Sequence, residues 1–333
     1  VYKRQAMTRL NLQDYAFLRL ESEDRPFHIA GLAICTPPKN ADENYLRDLS
    51  NRLRRLPVAF PVFARKLSDP AALGIQGWVD ADDYDADYHI FHYALPAPGR
   101  PEDLVRMLSR VHERMLDRSR PLWEIHLIEG LEGKRFAFYC KFHHALMDGV
   151  GALHMIQRLF DTDPDNPLKL GKKRRSGKSV AGKRSVGQRL RRLGAAMADQ
   201  GHAIPELYGL LGQMGLRGWR EGATAPPLPF TAPHALFNQQ ITDHRRLLMT
   251  DLPLSSVRRI GAARSGTIND ALLAICGGAL REYLLAQQAL PERSLSAGVP
   301  VSVEPSGEHE GNQLSTLICP FATDIDDPVI RLE

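Results

Sequence analysis

The sequence predicts an α/β (α+β) fold built as two lobes, and three observations carry that prediction. Segments of helical periodicity alternate along the chain with segments of strand character. At 333 residues the chain exceeds one average domain. Between the two patterned regions, Lys169 to Arg192 holds eleven Lys or Arg and no acidic residue, a sharp break in composition. Residues 1–6, ahead of Met7, are set aside as a non-native leader. Residues 7–160 are expected to form the first lobe, 161–234 a basic connection with helices, and 235–333 the second lobe.

Taken in order, Leu32 to Thr36 reads as a strand. Glu43 to Leu56 reads as a helix with Asp42 near its start and Tyr45, Leu49, Leu53 and Leu56 on one face. Pro101 to Asp117 reads as a second helix, with proline in its first turn and Leu104, Leu108, Val111 and Met115 facing inward. Trp123 to Glu129 and Arg135 to Phe142 read as adjacent strands joined through Gly130-Leu131-Glu132-Gly133. Thr267 to Ala286 reads as a long helix whose Gly277-Gly278 pair implies close packing, since each glycine costs about 1 kcal/mol against alanine. Leu295 to Val303 and Leu314 to Phe321 read as strands of the second lobe, the latter apolar on both faces.

The most informative stretch is His143-His144-Ala145-Leu146-Met147-Asp148-Gly149. It follows an aromatic strand and precedes Val150, Leu153, Ile156, Leu159 and Phe160 at helical spacing, so it forms a strand-to-helix turn. Histidine titrates near neutrality, and a general base held at the end of a rigid element keeps a fixed orientation. Asp148 is placed to cap the following helix, and Gly149 relieves crowding at the turn. The plain alternative is a structural histidine beside an ordinary Asp-Gly turn.

Four further segments accompany that motif. Asp14-Tyr15-Ala16-Phe17-Leu18 runs into Glu21 and then Pro26-Phe27-His28-Ile29-Ala30-Gly31. Asp117-Arg118-Ser119-Arg120-Pro121-Leu122-Trp123-Glu124 stands upstream of the histidines, and Thr267-Ile268-Asn269-Asp270-Ala271-Leu272-Leu273-Ala274 far downstream. Val299-Pro300-Val301-Ser302-Val303 leads to Gly311-Asn312-Gln313-Leu314-Ser315. With these blocks in this order, the chain resembles the bacterial wax ester synthase/acyl-CoA:diacylglycerol acyltransferases of the CoA-dependent acyltransferase superfamily.

The resemblance implies a chloramphenicol-acetyltransferase-like fold of two lobes with His144 in the channel between them. It implies a fatty acyl-CoA donor, a diacylglycerol or long-chain alcohol acceptor, and neither metal nor bound cofactor. His144 matches the family's base, His143 is expected to shape the turn, and Asp148 to orient the motif through an arginine not identified from sequence. Asn269 is a candidate oxyanion donor, with a structural role equally open. Trp123, with Pro121 and Leu122, reads as pocket wall or core, and Asp270, Asn312 and Ser315 are further candidates for substrate contact. Family members continue beyond the position of Glu333. The resemblance therefore implies an incomplete second lobe, inactive or poorly folded alone, with an edge or face left open at Leu314 to Phe321.

Composition narrows the function classes. Charged residues at 25% and hydrophobic residues at 43% are ordinary for a globular chain. Cys35, Cys140, Cys276 and Cys319 lie far apart without CxxC spacing and read as reduced, with Cys140 a packing residue. No run of 18 apolar residues exists, so no spanning helix is expected. The basic stretch lacks interleaved aromatics, which disfavours nucleic acid. A solvated connection and attraction to anionic headgroups remain, the latter supported by Val186, Leu190, Leu193 and Met197 at helical spacing beside arginines. The expected location is cytoplasmic, peripheral to the inner membrane or lipid droplets. The rival readings are a condensation-type acyltransferase acting on carrier-bound amines and a non-catalytic lipid-surface protein.

Overall fold

The computed structural model describes residues 7–69, 76–147, 152, 155, 159–160, 232–302 and 314–332. They divide between two compact units, the first holding the residues up to 160 with Ile241–Met249, the second the remainder. The expected second lobe began at 235, yet Ile241–Met249 clusters with the first unit. Hydrogen bonds explain why: Leu247 N–H donates to Ser109 Oγ at 3.0 Å, and Arg245 Nη2 to the Asp24 carbonyl at 2.7 Å.

In the first unit, β1 (Thr8–Arg9) precedes α1 (Leu12–Leu20), which opens on Asn11 as its side-chain cap. Strand β2 (His28–Cys35) starts four residues before the expected Leu32, because His28 already pairs with His143. The helix expected over 43–56 is broken into α2 (Tyr45–Leu53) and α3 (Leu56–Ala59). Pro57, which cannot donate to the helical ladder, sits in the first turn of the second piece. Short strands β3 (Arg65–Leu67) and β4 (Gly77–Asp80) join β1 in a small antiparallel sheet. Strands this short leave almost no periodicity to read.

Strand β5 (Ile90–Ala94), helix α4 (Pro101–Glu113), β6 (Trp123–Leu131) and β7 (Arg135–His143) complete the unit. The main sheet runs β2-β7-β6-β5, antiparallel except for the parallel β5–β6 pair. Helix α4 stops at Glu113 rather than Asp117, and the chain then turns through an extended Arg114. Successive side chains of β7 point to opposite faces. Phe136, Phe138, Cys140 and Phe142 enter the larger core with Leu53, Phe63, Trp123, Ile125 and Leu127. Ala137 and Tyr139 meet Leu104 and Leu108 of α4 on the other face. Ala152, Met155 and Leu159, helical and buried, cover the first face beyond the turn. Strand β7 is thus clamped on both sides, which makes its end a rigid mount.

The second unit contains α5 (Leu254–Ala262), α6 (Ile268–Ala286), the antiparallel pair β8 (Ser296–Ser302) and β9 (Leu314–Pro320), and α7 (Pro328–Leu332). Its core gathers Ala235, Leu284 and Leu295 with Leu280, Leu290 and Phe321. The glycine pair in α6 has the expected close neighbour: a Cβ on Gly277 would stand 2.1 Å from the Phe321 carbonyl oxygen. Among the described residues no helix is long and apolar enough to cross a membrane. Gly277→Ala must push that backbone away and is expected to cost roughly 1–3 kcal/mol. Equilibrium urea unfolding reads this directly, and an unchanged midpoint would mean the Phe321 segment yields freely.

Candidate active site

The two histidines are held by backbone before any side chain acts. At the end of β7, His143 N–H donates to the Leu122 carbonyl at 2.9 Å, and His144 N–H to the Phe27 carbonyl at 2.8 Å. The starts of both neighbouring strands therefore grip the turn. From here the two imidazoles diverge.

His143 turns inward and is fully buried. Its Nδ1 accepts the Ala145 N–H at 3.0 Å, which leaves the ring proton on Nε2, 3.3 Å from Glu21 Oε1. Glu21 follows α1, and its side chain is 1% exposed. Oε1 also accepts the Phe27 N–H at 3.0 Å, while Oε2 accepts from Arg118 Nη2 at 2.8 Å and Nε at 3.2 Å. Arg118 Nη2 further donates to the Leu18 carbonyl at 2.7 Å. Burial alone would push the Glu21 carboxyl up. The His143 Nε2 contact, the Arg118 hydrogen bonds and the Phe27 amide outweigh it and hold the group at about 2. The sequence reading assigned no role to Glu21 or Arg118, although both stand in the quoted blocks. Ninety-seven residues separate them, so no local spacing could pair them.

His144 is only half-buried, with its ring centroid 4.6 Å from that of Phe17. Of the two motif imidazoles it alone keeps open surface, on a backbone that cannot swing. That is what a general base requires.

The other candidates fare differently. Of the two roles open to Trp123 and Leu122, pocket wall or core, their burial fits the core: they are 1% and 0% exposed, and Pro121 is buried with them. Trp123 Nε1 donates to the Phe63 carbonyl at 3.0 Å, and the indole stacks on His89 at 4.6 Å. A large apolar ring with its one donor satisfied gains more from the core than from a wet channel. The block serves the site through backbone, since Leu122 receives the His143 amide. In the second unit Asn269 and Asp270 are exposed in the first turn of α6. Asp270 acts there as a helix cap: Oδ2 accepts from Thr267 N–H at 2.7 Å and Oγ1 at 2.8 Å, closing a capping box. Asp148, Gly149, Asn312 and the side chain of Ser315 lie outside the described residues.

A cavity of about 510 Å³ opens beside Arg118, lined by Lys66, Ser68, Asp83, Ser119 and Arg120 among others. Lys66 pairs with Asp83 at 2.7 Å and Arg120 with Asp117 at 3.3 Å, so it is charge-balanced surface rather than a preformed anion site.

Folding lowers the Glu21 pKa from 4.5 to about 2, so its ionised form favours the fold above pH 4.5 and that contribution is lost as pH falls toward 2. Across this window the native chain is expected to lose on the order of 3 kcal/mol more than Glu21→Gln, which starts less stable at neutral pH. Urea titrations at stepped pH measure the difference. Parallel profiles would show that the carboxylate does not carry it.

Comparison with known proteins identifies the family. The sequence model described as the wax ester synthase/diacylglycerol acyltransferase catalytic domain matches residues 10–272. A Mycobacterium tuberculosis protein named as a probable diacyglycerol O-acyltransferase, tgs2, is 36% identical, covering 96% of this chain and 70% of that protein. The O-acyltransferase WSD of Acinetobacter baylyi is 34% identical, covering 96% and 69%. Among solved structures, the wax ester synthase/diacylglycerol acyltransferase from Marinobacter aquaeolei VT8 superposes with a TM-score of 0.66 at 31% identity, over 98% of this chain and 69% of that one. The first condensation domain of the calcium-dependent antibiotic synthetase shares the fold, with a TM-score of 0.55 at 14% identity over 99% of this chain and 73% of that one. With a sequence model matched over most of the chain and relatives above 30% identity along nearly all of it, the chain belongs to the wax ester synthase/diacylglycerol acyltransferase family.

Proposed function

We propose that this chain transfers a fatty acyl group from acyl-CoA to the hydroxyl of diacylglycerol or a long-chain alcohol, with His144 as general base. The observation that carries the reading is the division of labour in the histidine pair: His143 is sealed against Glu21, while His144 is partly open on a fixed turn.

A neutral hydroxyl is a weak nucleophile until a base takes its proton. His144 removes that proton as the oxygen attacks the thioester carbonyl carbon. The tetrahedral oxyanion then collapses, the C–S bond breaks, and the imidazolium returns its proton to the CoA sulfur. Ester and free CoA leave, and His144 is neutral again. No acyl-enzyme is needed. Cys140, the nearest thiol in sequence, is buried in the core, and that burial pushes its pKa far above the range in which a thiolate forms. The oxyanion requires fixed donors, and Asn269 is the side chain proposed for that role.

His144→Ala is expected to lower ester formation by roughly 10²–10⁴-fold, and His143→Ala much less. Palmitoyl-CoA turned over with hexadecanol and with a diacylglycerol measures both and separates the acceptors. Equal, mild losses from the two changes would refute the assignment of the base, and no turnover with either acceptor would refute the activity.

The acceptors are water-insoluble, so the reaction belongs at a lipid surface. The proposed attachment is the Lys169 to Arg192 stretch, which lies outside the described residues. Each basic residue near an anionic surface contributes about 1 kcal/mol, screened by salt. Binding to phosphatidylserine-containing vesicles is expected to weaken markedly from low to physiological ionic strength. Replacing Lys172, Lys173, Arg174 and Arg175 with Gln should weaken it similarly. Indifference to both would leave the stretch a plain connection.

A further inference from the structure

Two residues before His143, on the same face of β7, stands a lysine with no access to solvent. Lys141 is 0% exposed, opposite Glu124 on β6 and Ala30 on β2. A buried ammonium is costly unless its protons are taken. Here Nζ donates to the Val111 carbonyl at 2.9 Å and to the Arg114 carbonyl. These close the C-terminal end of α4, where carbonyls lack intrahelical donors and the helix dipole is negative.

The contacts form a ring. From Arg114 the chain turns to Arg118, Arg118 binds Glu21, Glu21 holds His143 Nε2, and β7 leads back from His143 to Lys141. Beside it, the His28 ring contacts the His112 carbonyl, and His112 Nδ1 meets the Tyr139 hydroxyl at 2.7 Å. An apolar side chain of similar volume would fill the Lys141 slot at lower electrostatic cost, so packing does not account for the lysine. Burial lowers its pKa to about 8, with Glu124 and Glu21 opposing and Arg114 adding to the shift, so it remains charged at pH 7.

We infer that Lys141 is a positioning residue for acyl transfer: by tying β7 to the end of α4 it fixes the turn from Arg114 to Arg118, and through Arg118 and Glu21 the orientation of the histidine pair. The inference rests on His144 being the base.

The test is a double-mutant cycle of Lys141→Gln and Glu21→Gln in the full chain, with kcat and KM for acyl-CoA, and histidine ring resonances read by ¹³C NMR. Displacing a catalytic group by about 1 Å costs on the order of 10²-fold, so Lys141→Gln is expected to lower kcat by roughly 10–100-fold with KM little changed. Because both residues belong to one ring, the double variant should lose little more than the worse single one. A cooperatively folded Lys141→Gln with native kcat, or losses that multiply, would overturn the inference. If Lys141→Gln does not fold, Lys141→Met removes the charge at similar volume and is held to the same criteria. The ¹⁵Nζ resonance of Lys141 should also move in Glu21→Gln, and an unmoved signal would count against the ring. These NMR readouts need no turnover. A chain inactive on acyl-CoA would defeat the functional reading while leaving the positioning one decided by the resonances.

Discussion

The arrangement of the first unit depends on one buried carboxylate. Glu21 accepts from a backbone amide and a guanidinium and stands 3.3 Å from an imidazole, groups that arrive from three separate stretches of chain. A carboxylate out of water is tolerable only when its lone pairs are filled. Here the filling groups are the ones that define the motif. Phe27 leads into β2, Arg118 leads toward β6, and His143 ends β7. Glu21 is therefore where three neighbouring strands of the main sheet are held in register at the end that presents His144.

This organisation separates rigidity from recognition. Trp123, Leu122 and Pro121 supply stiffness, since the indole is packed between rings and Leu122 lends its carbonyl to the histidine turn. Groups so enclosed cannot discriminate between acceptors. The half-buried side chains that border His144, of which the Phe17 ring is one, keep surface open to a partner. A single mount can then carry different surroundings, because changing them need not disturb the anchored histidine turn.

Much of the framework was legible in the sequence. The β6–β7 hairpin, the long α6 with its tight glycine contact, and the strand-to-turn setting of the histidines all lay in local periodicity. Element ends were less so: Pro57 divides a helix whose apolar face runs straight through it, and α4 ends early where the chain turns toward Arg118. Local pattern left roles open. Trp123 reads from its block as pocket wall or core, and it is core, while Asp270, a candidate for substrate contact, closes the capping box of its own helix. Glu21 and Arg118 escaped notice for the opposite reason. Their meaning exists only once distant segments meet, and a single sequence carries no trace of that meeting.

The pairing of β2 with β7 has a consequence for how the site comes into being. His28 lies against His143, so strands more than a hundred residues apart must find each other before the turn has its second anchor. Contacts of such long sequence separation form slowly, because loop closure must be met before the pairing rewards it. The histidine turn is accordingly anchored on both sides only once that long-range pairing has formed. A nascent or fragmentary chain ending just past the motif would display both imidazoles while lacking neither in sequence, yet would keep them ordered only if the amino-terminal segment had already docked. The order of the histidine turn in this scaffold is thus a property of completed topology rather than of the local motif alone.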